Sequence, residues 1–119
     1  MPDVLIKGMR RFEALADSEL KDGRIYLRRT DEERKPILQR LNRIEGQVRG
    51  LRAMIEEDRY CQDEVQQINA VTAALREVAL IIISQHVSEG IELASQGADN
   101  SEAIHDVMSV LRSAMRFKE

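Results

Sequence analysis

One cysteine, two prolines, six glycines and no tryptophan occur among 119 residues, and each scarcity removes a class of protein. The lone Cys61 excludes an intrachain disulfide and a four-cysteine zinc site within one chain. So few prolines and glycines leave long stretches uninterrupted, as long helices require. Aromatics make up only 3%, whereas a β-sandwich core draws on aromatic and β-branched side chains. The longest uncharged run lies between Glu77 and Glu89 and is too short to span a bilayer. Residues 1–15 mix charges with apolar positions, so no signal peptide is read there. These absences point to a cytoplasmic protein with no membrane partner. A glycine-rich phosphate loop and a recognisable nucleophile–base pair are also missing, which argues against an enzyme.

What is present has a helical rhythm. Apolar residues make up 43% and charged residues 33%, which suits one well-solvated domain of modest core. Charge is unevenly placed. Residues 1–60 carry 14 Lys/Arg against 12 Asp/Glu, and residues 61–119 carry 4 against 9. A more basic first half is the half suited to an anionic partner.

Residues 1–30 hold no sustained period. VLIKGMRRF and RIYLRRT are apolar and basic by turns, with seven Lys/Arg between residues 1 and 30. They are expected to form an N-terminal extension, partly disordered or docked on the core. A DNA-contacting arm and a bland solubilising tail are both open to it. Residues 31–119 are expected to form the folded domain.

The first helix opens on a T-x-x-E capping box, Thr30 and Glu33. Pro36 is late for a first turn, so the regular helix is expected to begin near Lys35 or bend there. Ile37, Leu41, Ile44, Val48, Leu51 and Ile55 then recur as a heptad-like seam. EEDRY, residues 56–60, ends it. In the second helix Cys61, Val65, Ile68, Thr72, Leu75, Ala79, Ile82 and His86 share one stripe. This helix is expected to run to about Ser95, with Gly97 as its stop. Asp99 or Ser101 caps a third helix whose apolar face is Ile104, Val107, Met108, Leu111 and Met115. The predicted fold is all-α, a three-helix protomer with one long central helix. Six consecutive apolar residues, Val78 to Ile83, demand cover on several sides of that helix. One protomer cannot supply it, so an oligomer is expected.

Cys61 and His86 point the same way, because 25 residues at about 100° each make about seven turns. Along a straight helix they are about 37 Å apart. A metal–sulfur or metal–nitrogen bond is only about 2.0–2.3 Å. One chain therefore cannot place both on one ion unless the helix breaks. Two helices packed antiparallel about a two-fold axis near Ala73 and Ala74 bring Cys61 of one copy to His86 of the other. Against this, a cysteine on an apolar stripe is most often a small hydrophobe, and a histidine there most often a satisfied interface residue. Cys61 begins a helix beside Arg59, a setting that favours the thiolate. Thiolate with imidazole suits Cu(I), Zn(II), Co(II) or Ni(II), or an electrophile.

RLNRIEGQVRGL, residues 40–51, followed by YCQDEVQQINAV, residues 60–71, resembles the CsoR/RcnR/FrmR family of bacterial metal- and formaldehyde-responsive repressors. The resemblance covers about residues 33–116. It implies an antiparallel dimer through the second helix, a tetramer of two dimers, and a repressor that leaves operator DNA when its effector binds. It implies a sensing site shared between chains, with Cys61 and His86 at two of its positions; Cu(I) is the favoured ion, ahead of Zn(II), Ni(II) and Co(II). It makes Arg40 the leading DNA-contact residue, with Arg43, Arg49 and Arg52 behind it. Copper sensors of the family carry a further cysteine four residues after the histidine; here that position is Gly90. Glu64 and Glu89 are the substitute third ligands in reach, and Tyr60 can lie just outside the ligands. Formaldehyde sensors of the family pair the cysteine with an N-terminal proline amine, and this chain begins Met1-Pro2. An aldehyde-sensing site of Pro2 and Cys61 is therefore the alternative reading.

Overall fold

The structure, a computed structural model, describes residues 18–97 and 100–116. It consists of a short β-hairpin and three helices. Strands β1 (Glu19–Lys21) and β2 (Arg24–Tyr26) precede α1 (Asp31–Glu56), α2 (Cys61–Ser95) and α3 (Asn100–Met115). The expected all-α, three-helix architecture with a 35-residue central helix is what forms.

Helix α1 starts where its capping box predicts. Thr30 takes extended backbone angles and its Oγ1 accepts a 3.1 Å hydrogen bond from the Glu33 amide. Such a cap stabilises a helix by about 1 kcal/mol. Asp31, Glu32 and Glu33 put negative charge on the positive end of the helix dipole. The helix does not wait for Lys35. It runs through Pro36, which leaves the Glu32 carbonyl without its usual helical donor. At the far end Asp58 adopts the left-handed region (φ 55°). Its amide donates to the Ile55 carbonyl and the Arg59 amide to the Met54 carbonyl, the paired bonds of a Schellman stop. Residues 57–60 then turn the chain into α2, which continues without a break to Ser95. Gly97 (φ 95°) follows it, as the sequence suggested. Of the two residues expected to cap α3, Ser101 lies inside the helix and Asp99 lies outside the described residues.

The core between α1 and α2 is small: Ile37, Ile44 and Val78 are buried, with Leu41, Val71, Ala74 and Ile81 packed around them. Val71, Ala74, Val78 and Ile81 recur at spacings of 3, 4 and 3 on one face of α2. A second stripe, Val65, Ile68, Leu75 and Ile82, is left exposed. Two apolar faces on one helix account for the run from Val78 to Ile83. On α3 the fully buried residue is Ala103, at 0% exposure, whereas Ile104, Met108 and Met115 face outward. The predicted apolar face of α3 is therefore rotated. Its inner side is built from smaller and mixed residues, because α3 lies very close to α2 there.

Part of the N-terminal extension is ordered as a hairpin. Asp22 (φ 54°) and Gly23 (φ 73°) form a two-residue turn with both positions left-handed. This geometry matches the twist of paired strands and favours Asp-Gly. Leu20 pairs with Ile25 in antiparallel register. Three-residue strands do not persist alone. Ile25 is buried against the helices, a burial that contributes about 2 kcal/mol. Residues 1–17 lie outside the described residues, and Pro2 with them.

Candidate functional site

The second half of α2 buries an unusual set of side chains. Gln85, His86, Glu89 and Gly90 are all buried, on the part of the helix covered by α3 and the hairpin. A polar cluster inside a small domain must be satisfied by partners, and most of this one is.

His86 Nε2 lies 2.8 Å from Asp106 Oδ2 on α3. The same oxygen accepts a 2.9 Å hydrogen bond from the Ile25 amide of β2. A carboxylate oxygen accepts and does not donate, so Nε2 carries the proton of this bond, and in the neutral ring Nδ1 is the nitrogen with the lone pair. Asp106 thus fixes the tautomer and ring direction of His86, as second partners of ligating histidines do. Gln85, the neighbouring residue, accepts a 2.6 Å hydrogen bond from Arg29 Nε. Burial, then the nearby Arg34 charge, lowers the Arg29 pKa.

Glu89 is the exception. It is 1% exposed, and neither carboxylate oxygen has a hydrogen-bond partner among the described residues. Burial, with the charge of Glu92 beside it, raises its pKa from 4.5 to about 7. A buried carboxyl without a partner, one turn from a histidine, is a pair of donors that could hold a cation.

Gly90 is sterically required. A β-carbon there would collide with Val107 Cγ2 and stand 3.3 Å from Ile25 Cδ1. The position at which the resemblance calls for a second cysteine is filled by two apolar side chains.

Cys61 is exposed at the first turn of α2. Tyr60 precedes it, exposed, at the N-cap position. Glu64 is half-buried one turn further on. Within one chain the structure brings Cys61 and Glu64 to one end of α2, and His86 and Glu89 to the other. Among the described residues no group of three or more His, Cys, Asp or Glu forms a metal-holding cluster. The surface between the two ends carries an open apolar groove whose lining includes Thr72, Leu75, Ala79 and Ile82, with Arg76 and Arg116 beside them. The second histidine, His105, is exposed on α3.

The four arginines lie on α1. Arg40 forms a 2.7 Å ion pair with Glu77 of α2, and Arg52 a 3.5 Å pair with Glu56. Arg43 and Arg49 are exposed. Sequence reasoning did not reach Asp106, Ile25, Arg29 or Glu77. Of these, only the hairpin had a local signal, the Asp22-Gly23 pair.

An all-helical domain with a histidine–aspartate pair toward one end of a long helix, and an exposed cysteine at the other, is the class these features define. Residues 33–113 match the family model described as metal-sensitive transcriptional repressor, and the chain belongs to that family. The chain is 40% identical over 84 residues to the copper-sensing transcriptional repressor CsoR of Bacillus subtilis (strain 168), covering 71% of this chain and 83% of that protein. It is 48% identical over 80 residues to the copper-sensing transcriptional repressor RicR of Mycobacterium tuberculosis (strain ATCC 25618 / H37Rv), covering 62% and 83%. Among solved structures it resembles the copper-sensing repressor CsoR with Cu(I) from Geobacillus thermodenitrificans NG80-2, with TM-score 0.67, 37% identity, and 74% and 92% of the two chains covered. It also resembles the nickel-responsive transcriptional regulator InrS, with TM-score 0.63, 32% identity, and 70% and 90% covered. The protein is a metal-sensitive transcriptional repressor, not an enzyme. By length and composition alone α2 would also pass for a membrane-crossing helix.

Proposed function

We propose that the protein represses transcription by binding operator DNA and releases it when Cu(I) binds at a site shared between two copies. Cys61 of one copy and His86 of the other would hold the ion. One observation carries this reading: an exposed apolar stripe joins an exposed Cys61 to a buried His86 along α2. Antiparallel pairing of two such stripes covers both and brings the two ligand types together. Two copper-sensing relatives and a Cu(I)-containing neighbour favour copper. The nickel-responsive neighbour keeps nickel, cobalt and zinc in the comparison.

The residues fit a metal without a second cysteine. His86 has a free Nδ1, and Glu89 offers a buried carboxylate without a partner. Glu89 is the stronger third ligand; Glu64, at the cysteine end, is the other. A bound ion supplies a concentrated positive charge that neutralises donors otherwise costly to bury. Asp106 holds the His86 ring so that Nδ1 faces away from α3's carboxylate. Arg40, with Arg43, Arg49 and Arg52, would contact the DNA backbone, and a family dimer doubled to a tetramer would array them. In this reading residues 31–119 are the repressor domain and residues 1–30 an appended extension, and the protein works in the cytoplasm.

The test is operator release. Labelled DNA from beside the gene is titrated with apo protein and followed by anisotropy. Cu(I), Zn(II), Co(II), Ni(II) and formaldehyde are then added in turn. Release by Cu(I) that Cys61→Ala and His86→Ala both abolish supports the proposal. Release by formaldehyde alone, lost when the Pro2 amine is blocked, replaces it with the aldehyde-sensing reading. Metal-driven release that survives Cys61→Ala removes this site.

A further inference from the structure

The His86 end of α2 has a neighbour that precedes the region matching the family, which starts at residue 33. The hairpin at 19–26 and the residues just after it meet the site at three points. The Ile25 amide donates to the Asp106 oxygen that also holds His86. The Ile25 side chain lies over Gly90, where a further ligand would have to stand. Arg29, three residues past β2, donates to Gln85 beside His86. One segment thus grips the partner of the sensing histidine, a flanking residue and the adjacent ligand position.

We propose that the hairpin is an intrachain gate on the effector site, and that hairpin docking and ion binding oppose one another. The proposal rests on the metal-sensing reading above.

Two independent physical reasons give the sign. The first is competition at one acceptor. When Nδ1 of His86 donates its lone pair to a cation, the ring loses electron density and its Nε2–H becomes a stronger donor. Asp106 Oδ2 is then drawn toward His86, and its bond to the Ile25 amide weakens. A hydrogen bond to a charged group is among the stronger kind, and this one is a large share of what holds an eight-residue hairpin. The second reason is space. Ile25 and Val107 occupy the position beside Gly90. Any donor completing the ion's coordination from that side must displace Ile25, because Val107 belongs to a packed helix and the hairpin does not. Both reasons make the docked hairpin a property of the empty site. Linkage then requires the reverse effect by the same factor: a chain whose hairpin is loosened binds the ion more tightly.

The experiment uses the full chain. Amide hydrogen exchange of residues 19–26 is measured on apo protein and on protein saturated with Cu(I) under reducing, anaerobic conditions. Cu(I) affinity is measured by competition with a coloured chelator for the wild type, Ile25→Ala, Arg29→Met and His86→Ala, with helical content checked for each. The expected result is at least about 5-fold faster exchange of the Ile25 amide with Cu(I), and about 5-fold or greater tightening of Cu(I) binding in Ile25→Ala, the lower end of ordinary coupling between sites. Arg29→Met is expected to shift affinity the same way by less. Asp106→Asn gives a readout without metal: its weaker acceptor speeds exchange of the Ile25 amide in apo protein. Cu(I) binding that requires His86 but leaves hairpin exchange and Ile25→Ala affinity unchanged overturns the gate and leaves the sensing reading standing. Absence of any His86-dependent Cu(I) binding overturns both.

Discussion

Gly90 of α2 and Val107 of α3 approach so closely that the first has no room for a β-carbon. The contact sets the Val107 side chain directly on the α2 backbone, one turn from Ala103, itself fully buried. It also decides what cannot stand at position 90. Adding a methyl group to a helical glycine ordinarily stabilises by about 1 kcal/mol. Here the sign reverses: Gly90→Ala is expected to destabilise by about 1–3 kcal/mol through overpacking. Thermal unfolding checks it, and pairing the change with Val107→Ala should recover most of the loss. Gly90→Cys, the change that would complete a copper sensor's ligand pattern, is expected to lower stability in the same way.

The buried Glu89 carboxyl makes stability depend on pH. Its pKa is about 7 in the fold against 4.5 as the reference. Between those values the folded chain holds more protons than the unfolded one, so stability falls as pH rises through this window. Below about 4.5 and above about 7 the contribution is level. The loss is on the order of 3 kcal/mol across the window. Denaturant unfolding of apo protein at pH 5 and pH 8 reads it, and Glu89→Gln is expected to flatten the difference. An unchanged pH slope in that variant would show that Glu89 is solvated.

Arg40 is paired with Glu77, a carboxylate that would compete with a DNA phosphate for its guanidinium. Their 2.7 Å pair is 42% and 65% exposed at the side chains, so it adds less than about 1 kcal/mol to stability. If Arg40 contacts a phosphate, Arg40→Ala weakens operator binding and lowers the salt slope by about 1. Glu77→Gln frees the guanidinium and is expected to tighten binding a few-fold, with the melting temperature nearly unchanged. Anisotropy titrations across a salt series separate these outcomes.

The exposed stripe on α2 gives a fourth prediction. Leu75→Glu puts a charge in the middle of the apolar groove while leaving the Ile37–Ile44–Val78 core untouched. It is expected to shift sedimentation toward the single chain and to abolish metal binding. A variant that keeps both its oligomeric state and its metal affinity would place the subunit contact elsewhere.

Much of the helical frame was legible because each signal is local. The Thr30 cap and the unbroken 3–4 spacing after Cys61 fix where α1 begins and where α2 runs. Pro36 misled, because a proline just past the first turn removes one hydrogen bond without stopping a helix that tertiary packing supports. The stripe from Cys61 to His86 was read correctly as a line, but the helix uses its neighbour stripe, Val71 to Ile81, for the protomer's core. The hairpin was missed although Asp22-Gly23 is a strong turn signal, since three-residue strands show no period. Asp106 had no signal at all: twenty residues separate it from His86, and only the docking of α3 makes them partners.

The two apolar stripes of α2 have a further consequence, in the quantity of protein rather than its shape. One stripe is covered within the chain, and the other is exposed and would be covered only if copies associate. A site completed by a second copy exists only above the concentration at which copies pair. The apparent threshold for effector would then depend on how much repressor the cell holds. A melting temperature would likewise rise with protein concentration, as mass action requires, so a sensor of this construction measures its own abundance together with its ion.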